Sequence, residues 1–189
     1  MREMSQTIDL VLETIRGRLH SIGKSIRFRR SGRNFKLYGS KHMNGVDLSV
    51  GDNCWFQAVD SYKGSIYQPR ITIGAASMFG NNVHISAIKS ITIGKDCLLG
   101  SNIYIGDHSH GSTRQGCIDL DIPPAKRNLD DACDIVIGER VWVGDGTVIL
   151  AGSTIADGCI IGANSVVKGK FENAAVIAGA PARVIKELL

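Results

Sequence analysis

Aliphatic residues recur at every sixth position along the C-terminal half of the chain. These positions are Ile137, Val143, Ile149, Ile155, Ile161 and Val167, and the first five are each followed four residues later by a small or β-branched residue. The same frame starts upstream at Ile93, Leu99 and Ile105. A period of six fits neither an amphipathic helix nor an alternating strand. It predicts stacked coils of short strands whose aliphatic side chains point inward, with the glycine after each one relieving a tight turn.

A different pattern precedes the hexads. Apolar residues follow one another at spacings of three and four, at Met4, Ile8, Val11, Leu12, Ile15, Leu19 and Ile22. This spacing predicts a short amphipathic N-terminal helix. We therefore divide the chain into an N-terminal helical and basic segment, residues 1–45, and a solenoid domain, residues 46–189. The preferred interpretation is that the stripe packs on the first coils or on a neighbouring subunit as a cap.

The hexad frame is lost after His110 and resumes near Ile135. The interruption, residues 111–134, contains Pro123 and Pro124 and is predicted to be one loop protruding from the solenoid. Long ordered excursions from a compact domain are usually functional. Two histidines, His108 and His110, stand at the root of this loop.

Charge is distributed unevenly between the two parts of the chain. The formal net charge is +4, yet residues 14–46 contain no acid and carry Arg16, Arg18, Lys24, Arg27, Arg29, Arg30, Arg33, Lys36 and Lys41. This cationic stretch beside an apolar stripe suggests peripheral contact with anionic lipid at the inner face of the membrane. No nucleic-acid-binding motif accompanies it, so nucleic acid is not an expected partner.

The cysteines and the hydropathy pattern bear on cellular location. The 5 cysteines are odd in number and lack zinc-site spacing, and Cys54, Cys97 and Cys159 share one repeat phase. They are predicted to be small buried residues rather than disulfides or metal ligands. Neither a membrane-spanning run nor a secretory leader is visible, so we expect a cytoplasmic protein.

Several blocks resemble the hexapeptide-repeat acyltransferases. They are the hexads at 93–110, the DHSHG segment at 107–111, IGERVWVG at 137–144, GANSVV at 162–167 and GAPARVI at 179–185. The likeness covers residues 46–189 and is nearest to the maltose and galactoside acetyltransferases and the surface-polysaccharide O-acetyltransferases. It implies a left-handed parallel β-helix, a homotrimer, acetyl-CoA as co-substrate without a metal, and a sugar hydroxyl as acceptor.

The resemblance also implies roles for individual residues. His110 occupies the hexad place of the family's catalytic histidine and is expected to be the general base, a role that suits the pKa of imidazole. Acceptor contacts are expected from His108, Asp107, Trp142 and Asn82. Coenzyme contacts are expected from Trp142, Gly144, Ala163, Ser165, Lys168 and Arg183.

Other functions remain open on the sequence alone. A zinc enzyme of the γ-carbonic-anhydrase type shares this repeat, and His84 and His108 hold equivalent hexad places. The later histidine pair of that family, however, is more widely spaced than His108 and His110. An antibiotic acetyltransferase and a non-catalytic hexapeptide scaffold are further alternatives, and the histidines at the loop root speak against the scaffold.

Overall fold

The computed structural model describes residues 2–117 and 120–189, with side chains described from residue 8 onward. One α-helix, α1 (Arg2–Ser21), precedes strands throughout the rest of the chain. The strands of the first half are β1 (Ile26–Ser31), β2 (Lys36–Tyr38), β3 (Met43–Val50), β4 (Trp55–Ala58), β5 (Ser61–Tyr62), β6 (Ser65–Ile66), β7 (Arg70–Ile73), β8 (Met78–Phe79), β9 (His84–Ala87), β10 (Ser90–Ile93), β11 (Leu98–Leu99) and β12 (Tyr104–Gly106).

The second half continues the pattern after the loop. Its strands are β13 (Ser109–His110), β14 (Leu129–Asp130), β15 (Ile135–Ile137), β16 (Trp142–Val143), β17 (Val148–Leu150), β18 (Thr154–Ile155), β19 (Ile160–Ile161), β20 (Val166–Val167), β21 (Lys170–Phe171), β22 (Ala175–Gly179) and β23 (Ala182–Glu187). Two short 3₁₀ turns are Ser40–His42 and Pro124–Lys126.

Parallel pairing between successive coils builds three flat faces. The first face runs β3–β7–β10–β15–β18–β21, the second β3–β8–β11–β16–β19–β22, and the third β2–β4–β9–β12–β17–β20. Strand β3 contributes to two faces because its Met43–Gly45 part pairs with β7 and its Ser49–Val50 part with β8. The predicted solenoid of short strands is therefore present, and β23 closes its C-terminal end by pairing antiparallel with β22.

The hexad aliphatic residues form inward ladders, as the period of six predicts. Ile73, Ile93 and Ile137 are in register on the first face and are buried, as are Ile71, Ile91 and Ile135 two residues before them. The small residues of the frame are buried as well, including Thr147, Ser153 and Ser165, whose hydroxyls bond to carbonyl oxygens one turn back. Cys54, Cys97 and Cys159 are buried free thiols, as predicted, whereas Cys117 and Cys133 are exposed.

The glycine after each aliphatic residue has a different purpose from the one expected. None of Gly74, Gly94 and Gly144 has a positive φ. A Cβ on Gly94 would instead lie 2.4 Å from the carbonyl oxygen of Gly138 in the next coil. The left-handed turn conformation is adopted by Asn and Asp residues such as Asn102 and Asp96. These glycines are thus required because adjacent coils approach closely at the corners.

The solenoid begins at Ile26, earlier than the boundary at residue 46 that the sequence suggested. Strand β1 pairs parallel with β3, and β2 pairs with β4. Ile26, Phe28 and Phe35 are buried in the main core. The charged residues that alternate with them concealed this coil, because Arg27 and Arg29 point outward between buried positions.

Two excursions leave the solenoid, whereas the sequence suggested one. The loop at 111–134 is joined by a hairpin, β5–β6, formed by residues that follow β4. The two pack together in a separate apolar cluster of Val59, Ile88 and Leu129, to which Tyr62, Tyr67 and Ala132 add. Tyr67 also donates a hydrogen bond from its hydroxyl to the carbonyl oxygen of Leu129, 3.0 Å away. The shared cluster holds the long loop against one corner of the solenoid.

Candidate active site

Asp107 is a fully buried carboxylate at the corner where the chain leaves β12. Its Oδ1 accepts a hydrogen bond from the backbone N–H of Ile88 at 2.9 Å, and Oδ2 accepts from those of Lys89 and Ser90 at 2.8 Å each. These donors belong to the corresponding corner of the preceding coil. These three backbone N–H groups stabilise the carboxylate, because their hydrogen bonds replace those that it would make with water.

His108 is held by this carboxylate. Its Nδ1 lies 2.8 Å from Oδ1 of Asp107, and its side chain is only 7% exposed. Because an ionised carboxylate can only accept, Nδ1 must carry the hydrogen, which leaves the lone pair on Nε2. A carboxylate that fixes the tautomer and orientation of an imidazole in this way prepares Nε2 to take a proton.

His108 opens onto a cleft of about 660 Å³ at the base of the long loop. Ser109, Asp130 and Asp131 form one wall, while Ala132, Cys133, Leu150 and Ala151 supply apolar surface. Two cations, Arg114 and Lys168, complete the lining. The cleft therefore combines an oriented imidazole, an apolar wall and positive charge within one small volume.

His110 lies outside this arrangement. It is exposed on β13, where it pairs with Leu129 of β14, and its ring makes an edge contact with Tyr62 at 5.9 Å. Within the described part of the chain it has no carboxylate partner. The geometry therefore favours His108 over His110 as the base, and Asp107 as its orienting partner.

A histidine not selected from the sequence as a site residue lies on the third face near His108. His84 stacks on Trp55 with ring centroids 4.4 Å apart and contacts the edge of Tyr104 at 5.3 Å. Burial lowers its pKa, and the positive charge that His108 can carry lowers it further. Its buried Nε2 has no hydrogen-bond partner among the described residues. The ladder of equivalent hexad places at 84 and 104 is the signal that could have revealed this stack.

Trp142 lies on the second face and is not part of the cleft. Its ring is 52% exposed and continues an outward row with Leu98 and Met78 on the two preceding coils. Asn82 adopts a left-handed corner conformation and donates a side-chain hydrogen bond to Asn102, 2.9 Å away. Neither residue is brought to His108 within one chain, and Asn82 has a role in joining adjacent corners.

The residues expected to contact the coenzyme lie in different parts of the structure. Lys168 lines the cleft with His108. Ser165 is buried, donating to the carbonyl of Gly162 and accepting from the N–H of Gly179. Gly144 allows close coil packing, Ala163 is exposed at the same corner, and Arg183 lies on the C-terminal hairpin.

The base of the loop is closed by Asp131. Its carboxylate accepts hydrogen bonds from the hydroxyl of Ser112, from both the hydroxyl and N–H of Thr113, and from Arg114. The hydrogen bonds from Thr113 and Ser112, with the charge of Arg114, lower the pKa of Asp131 to about 2. This clamp keeps the loop closed beside the cleft.

The described residues contain neither a metal-binding cluster nor a membrane-spanning helix. No group of three or more His, Cys, Asp or Glu side chains in residues 8–117 and 120–189 is placed to hold a metal ion. Across residues 2–117 and 120–189, no helix combines the length and apolar character needed to cross a membrane.

Comparison with known proteins identifies the repeats. Residues 134–169 match the family model for bacterial transferase hexapeptide (six repeats), and residues 70–107 match the model for the hexapeptide repeat of succinyl-transferase. The chain is 45% identical over 107 residues to WbbJ of Escherichia coli (strain K12), named as a lipopolysaccharide biosynthesis O-acetyl transferase, covering 56% of this chain and 54% of that protein.

A second relative supports the same assignment. The galactoside O-acetyltransferase of Escherichia coli (strain K12) is 31% identical over 143 residues, covering 74% of this chain and 64% of that protein. The matching regions thus span between half and two thirds of the length of these relatives. Residues 70–107 and 134–169 are thus hexapeptide repeats, and the relatives that the chain resembles are named O-acetyltransferases.

Solved structures share the fold at lower identity. AntD, an N-acyltransferase from Bacillus cereus, superposes with a TM-score of 0.66 at 19% identity, over 91% of this chain and 88% of that one. A galactoside acetyltransferase in complex with coenzyme A gives a TM-score of 0.55 at 23% identity, over 95% of this chain and 82% of that one. At these identities the likeness concerns the fold.

Proposed function

We propose that this protein is an acetyl-CoA-dependent O-acetyltransferase that acts on a sugar hydroxyl in surface-polysaccharide biosynthesis. The observation that carries the proposal is the buried Asp107–His108 pair facing a cleft with apolar and cationic walls. The names of the relatives, WbbJ and the galactoside O-acetyltransferase, support both the reaction and the saccharide acceptor.

His108 acts as the general base in the proposed reaction. Its Nε2 accepts the proton of the acceptor hydroxyl as that oxygen attacks the thioester carbonyl carbon, and Asp107 stabilises the resulting imidazolium. The carbon–sulfur bond then breaks, and Nε2 returns the proton to the leaving thiolate of coenzyme A. Base catalysis of this kind contributes about 10²–10⁴-fold, with alignment in the cleft supplying more.

The cleft fits the chemistry of acetyl-CoA. Leu150, Ala151 and Ala132 offer apolar surface for a pantetheine arm, and Lys168 offers a point charge for a phosphate. Arg114 is held by Asp130 and Asp131, so it is more suited to shaping the cleft than to binding an anion. We expect no metal to be required.

The complete enzyme is proposed to be a homotrimer of left-handed β-helices in the cytoplasm, where acetyl-CoA is available. The exposed apolar row of Met78, Leu98 and Trp142 supports a subunit interface on the second face, because exposed apolar patches mark such surfaces. In this arrangement Trp142 of one subunit and His108 of another complete the site.

A thiol-release assay tests the proposed function. Purified protein is incubated with acetyl-CoA and one candidate acceptor at a time, drawn from nucleotide sugars, free sugars and oligosaccharides. The coenzyme A that is released is then measured. We expect release above the hydrolytic background with at least one saccharide, with acetyl found on a hydroxyl by mass spectrometry. Absence of transfer to every saccharide class would reject the proposal.

Two alternatives have less support. A γ-carbonic-anhydrase-like zinc enzyme uses a later histidine pair more widely spaced than His108 and His110, and the relatives that the chain matches are named acetyltransferases. A non-catalytic scaffold would not need a buried carboxylate that orients an imidazole towards a cleft. Stoichiometric zinc in the purified protein would reverse the first judgement.

A further inference from the structure

The apolar stripe of α1 points away from the solenoid. The opposite side of the helix makes the contacts: a Cβ on Gly17 would lie 3.0 Å from backbone atoms of Arg29 and Arg30, and Ser21 accepts the N–H of Phe28 at 2.8 Å. His20 also reaches the hydroxyl of Ser31 at 2.9 Å. The cap on the first coil is therefore built by the small and polar residues of the helix.

The stripe is consequently left uncovered. Ile8, Val11, Leu12, Ile15, Leu19 and Ile22 are each 45–69% exposed, and helical spacing places them within an arc of about 100°. The side chain of Met4 lies outside the described residues. The sequence favoured packing of this stripe on the first coils or on a neighbouring subunit, and the orientation of Gly17 and Ser21 does not allow the first of these.

Positively charged side chains also lie beside the exposed stripe. Arg18 follows Ile15 by three residues and precedes Ile22 by four, which places it on the flank of the stripe. Arg18, Arg27 and Arg30 form no ion pair among the described residues, whereas Arg29 and Arg33 are paired with Asp47 and Asp52. Arg18, beside the stripe, thus remains available to an anionic surface, and Arg27 and Arg30 on β1 are further cations without an ion pair among the described residues.

Two acids of α1, Asp9 and Glu13, are close enough to the first coil for their charges to act on Arg33. The pKa of Arg33 is raised first by its hydrogen bond to Asp52 and, to a lesser extent, by the charges of Asp9 and Glu13. These two carboxylates are therefore directed to the first coil and do not offset the cations beside the stripe. Apolar and positive surface together point outward at this end of the molecule.

We propose that α1 is an interfacial helix that docks this end of the solenoid onto an anionic lipid bilayer. Amphipathic helices bury such a stripe at the boundary between headgroups and acyl chains, and adjacent Arg side chains bind anionic headgroups. Pairing with a second copy would bring together two acid-free stretches, residues 14–46 of each chain, whereas lipid phosphates neutralise such a stretch. The inference is independent of the acetyl-transfer reaction.

Vesicle co-sedimentation of the full-length chain tests the proposal. Phosphatidylcholine vesicles are compared with vesicles that also contain phosphatidylglycerol, at low and high salt. We expect binding to the anionic vesicles that weakens as salt rises, because charge attraction is screened. Replacement of Ile15 and Leu19 by Gln should weaken binding at least about tenfold.

A matched control distinguishes the stripe from apolar exposure in general. Ile66 on β6 is 78% exposed and lies outside the proposed catalytic residues, so Ile66→Gln should bind vesicles like the wild type. Light scattering monitors the oligomer, and thiol release is measured with a soluble acceptor. The proposal is supported if the variant with Gln at both Ile15 and Leu19 loses vesicle binding but keeps its oligomeric state.

Two results would overturn the membrane proposal. One is equal sedimentation of wild type and double variant with anionic vesicles. The other is a wild type that does not bind vesicles while the double variant loses its oligomer, which would assign the stripe to a subunit contact. Neither result depends on whether an acetyl acceptor is found.

Discussion

At the scale of single residues, the decisive feature is how Asp107 is buried. A carboxylate without solvent is costly unless hydrogen bonds replace the lost water. Here the N–H groups of Ile88, Lys89 and Ser90 supply them, which leaves one acceptor position for the imidazole of His108. His110, two residues further, has moved out of this environment onto β13 and lacks the same support.

This difference predicts unequal effects of two histidine substitutions. His108→Ala should lower kcat for acetyl transfer by about 10²–10⁴-fold, because the proton acceptor is lost. His110→Ala should retain turnover within about tenfold, since its ring is exposed and unsupported by a carboxylate. Steady-state kinetics with acetyl-CoA and a productive saccharide measures both. Equal losses in the two variants would contradict the assignment of the base.

Asp107→Asn probes how the imidazole is oriented. The amide can present an N–H to Nδ1 and so favour the wrong tautomer, which should lower kcat by about 10²-fold or more. The loss of a charged acceptor for three backbone donors should also lower the free energy of unfolding by about 1–3 kcal/mol. Kinetics and urea unfolding separate the two effects; unchanged kcat would exclude Asp107 as the orienting group.

At the scale of elements, coil stacking imposes the strictest local requirement. Gly94→Ala should lower the free energy of unfolding by about 1–3 kcal/mol, because its Cβ would lie 2.4 Å from the carbonyl oxygen of Gly138. The neighbouring Lys95→Ala removes only an exposed ion pair with Glu139 and should cost about 0–1 kcal/mol. Urea unfolding of the two variants tests whether the close approach of adjacent coils is the reason that position 94 requires glycine.

The long loop depends on a carboxylate that can be titrated. The pKa of Asp131 is lowered from the usual 3.8 to about 2, chiefly because Thr113 hydrogen-bonds to its carboxylate. A lowered pKa means that the clamp stabilises the closed loop fully above pH 3.8 and is lost as the pH falls towards 2. Hydrogen-exchange protection of the Thr113 amide should fall across this window, and Asp131→Asn should remove the dependence on pH.

At the scale of the whole molecule, the site residues are distributed over different surfaces. His108 and Lys168 share the cleft, while Trp142 lies on the second face among exposed apolar residues. The proposed trimer with shared sites would account for this separation. At the N-terminal end, the outward stripe of α1 gives the solenoid a second surface that the chain itself does not cover.

Shared sites predict complementation between inactive variants. His108→Ala and Trp142→Ala are each expected to lose most activity, but co-expressed and mixed in one oligomer they should recover a measurable fraction. Recovery is expected because some interfaces then combine an intact His108 with an intact Trp142. Thiol release by purified mixed oligomers measures it, and an activity no higher than that of the separate variants would place both residues in one subunit's site.

The sequence by itself determined the solenoid, its buried thiols and the position of the long loop. These features arise from local repetition, because every hexad presents the same inward residue and stacks on the next. The coil at residues 26–45 and the hairpin β5–β6 escaped prediction, since outward Arg residues and short irregular strands interrupt the period.

Only the tertiary structure distinguished His108 from His110 and showed the direction of the helix stripe. The two histidines lie two residues apart in the same segment, so local sequence does not separate their roles. Those roles depend on which distant groups surround each side chain. The N–H groups that hold Asp107 come from a corner 17–19 residues earlier in the chain. Likewise, the contact between Gly17 and β1 decides which side of α1 remains exposed, because helical periodicity defines a stripe but not its partner.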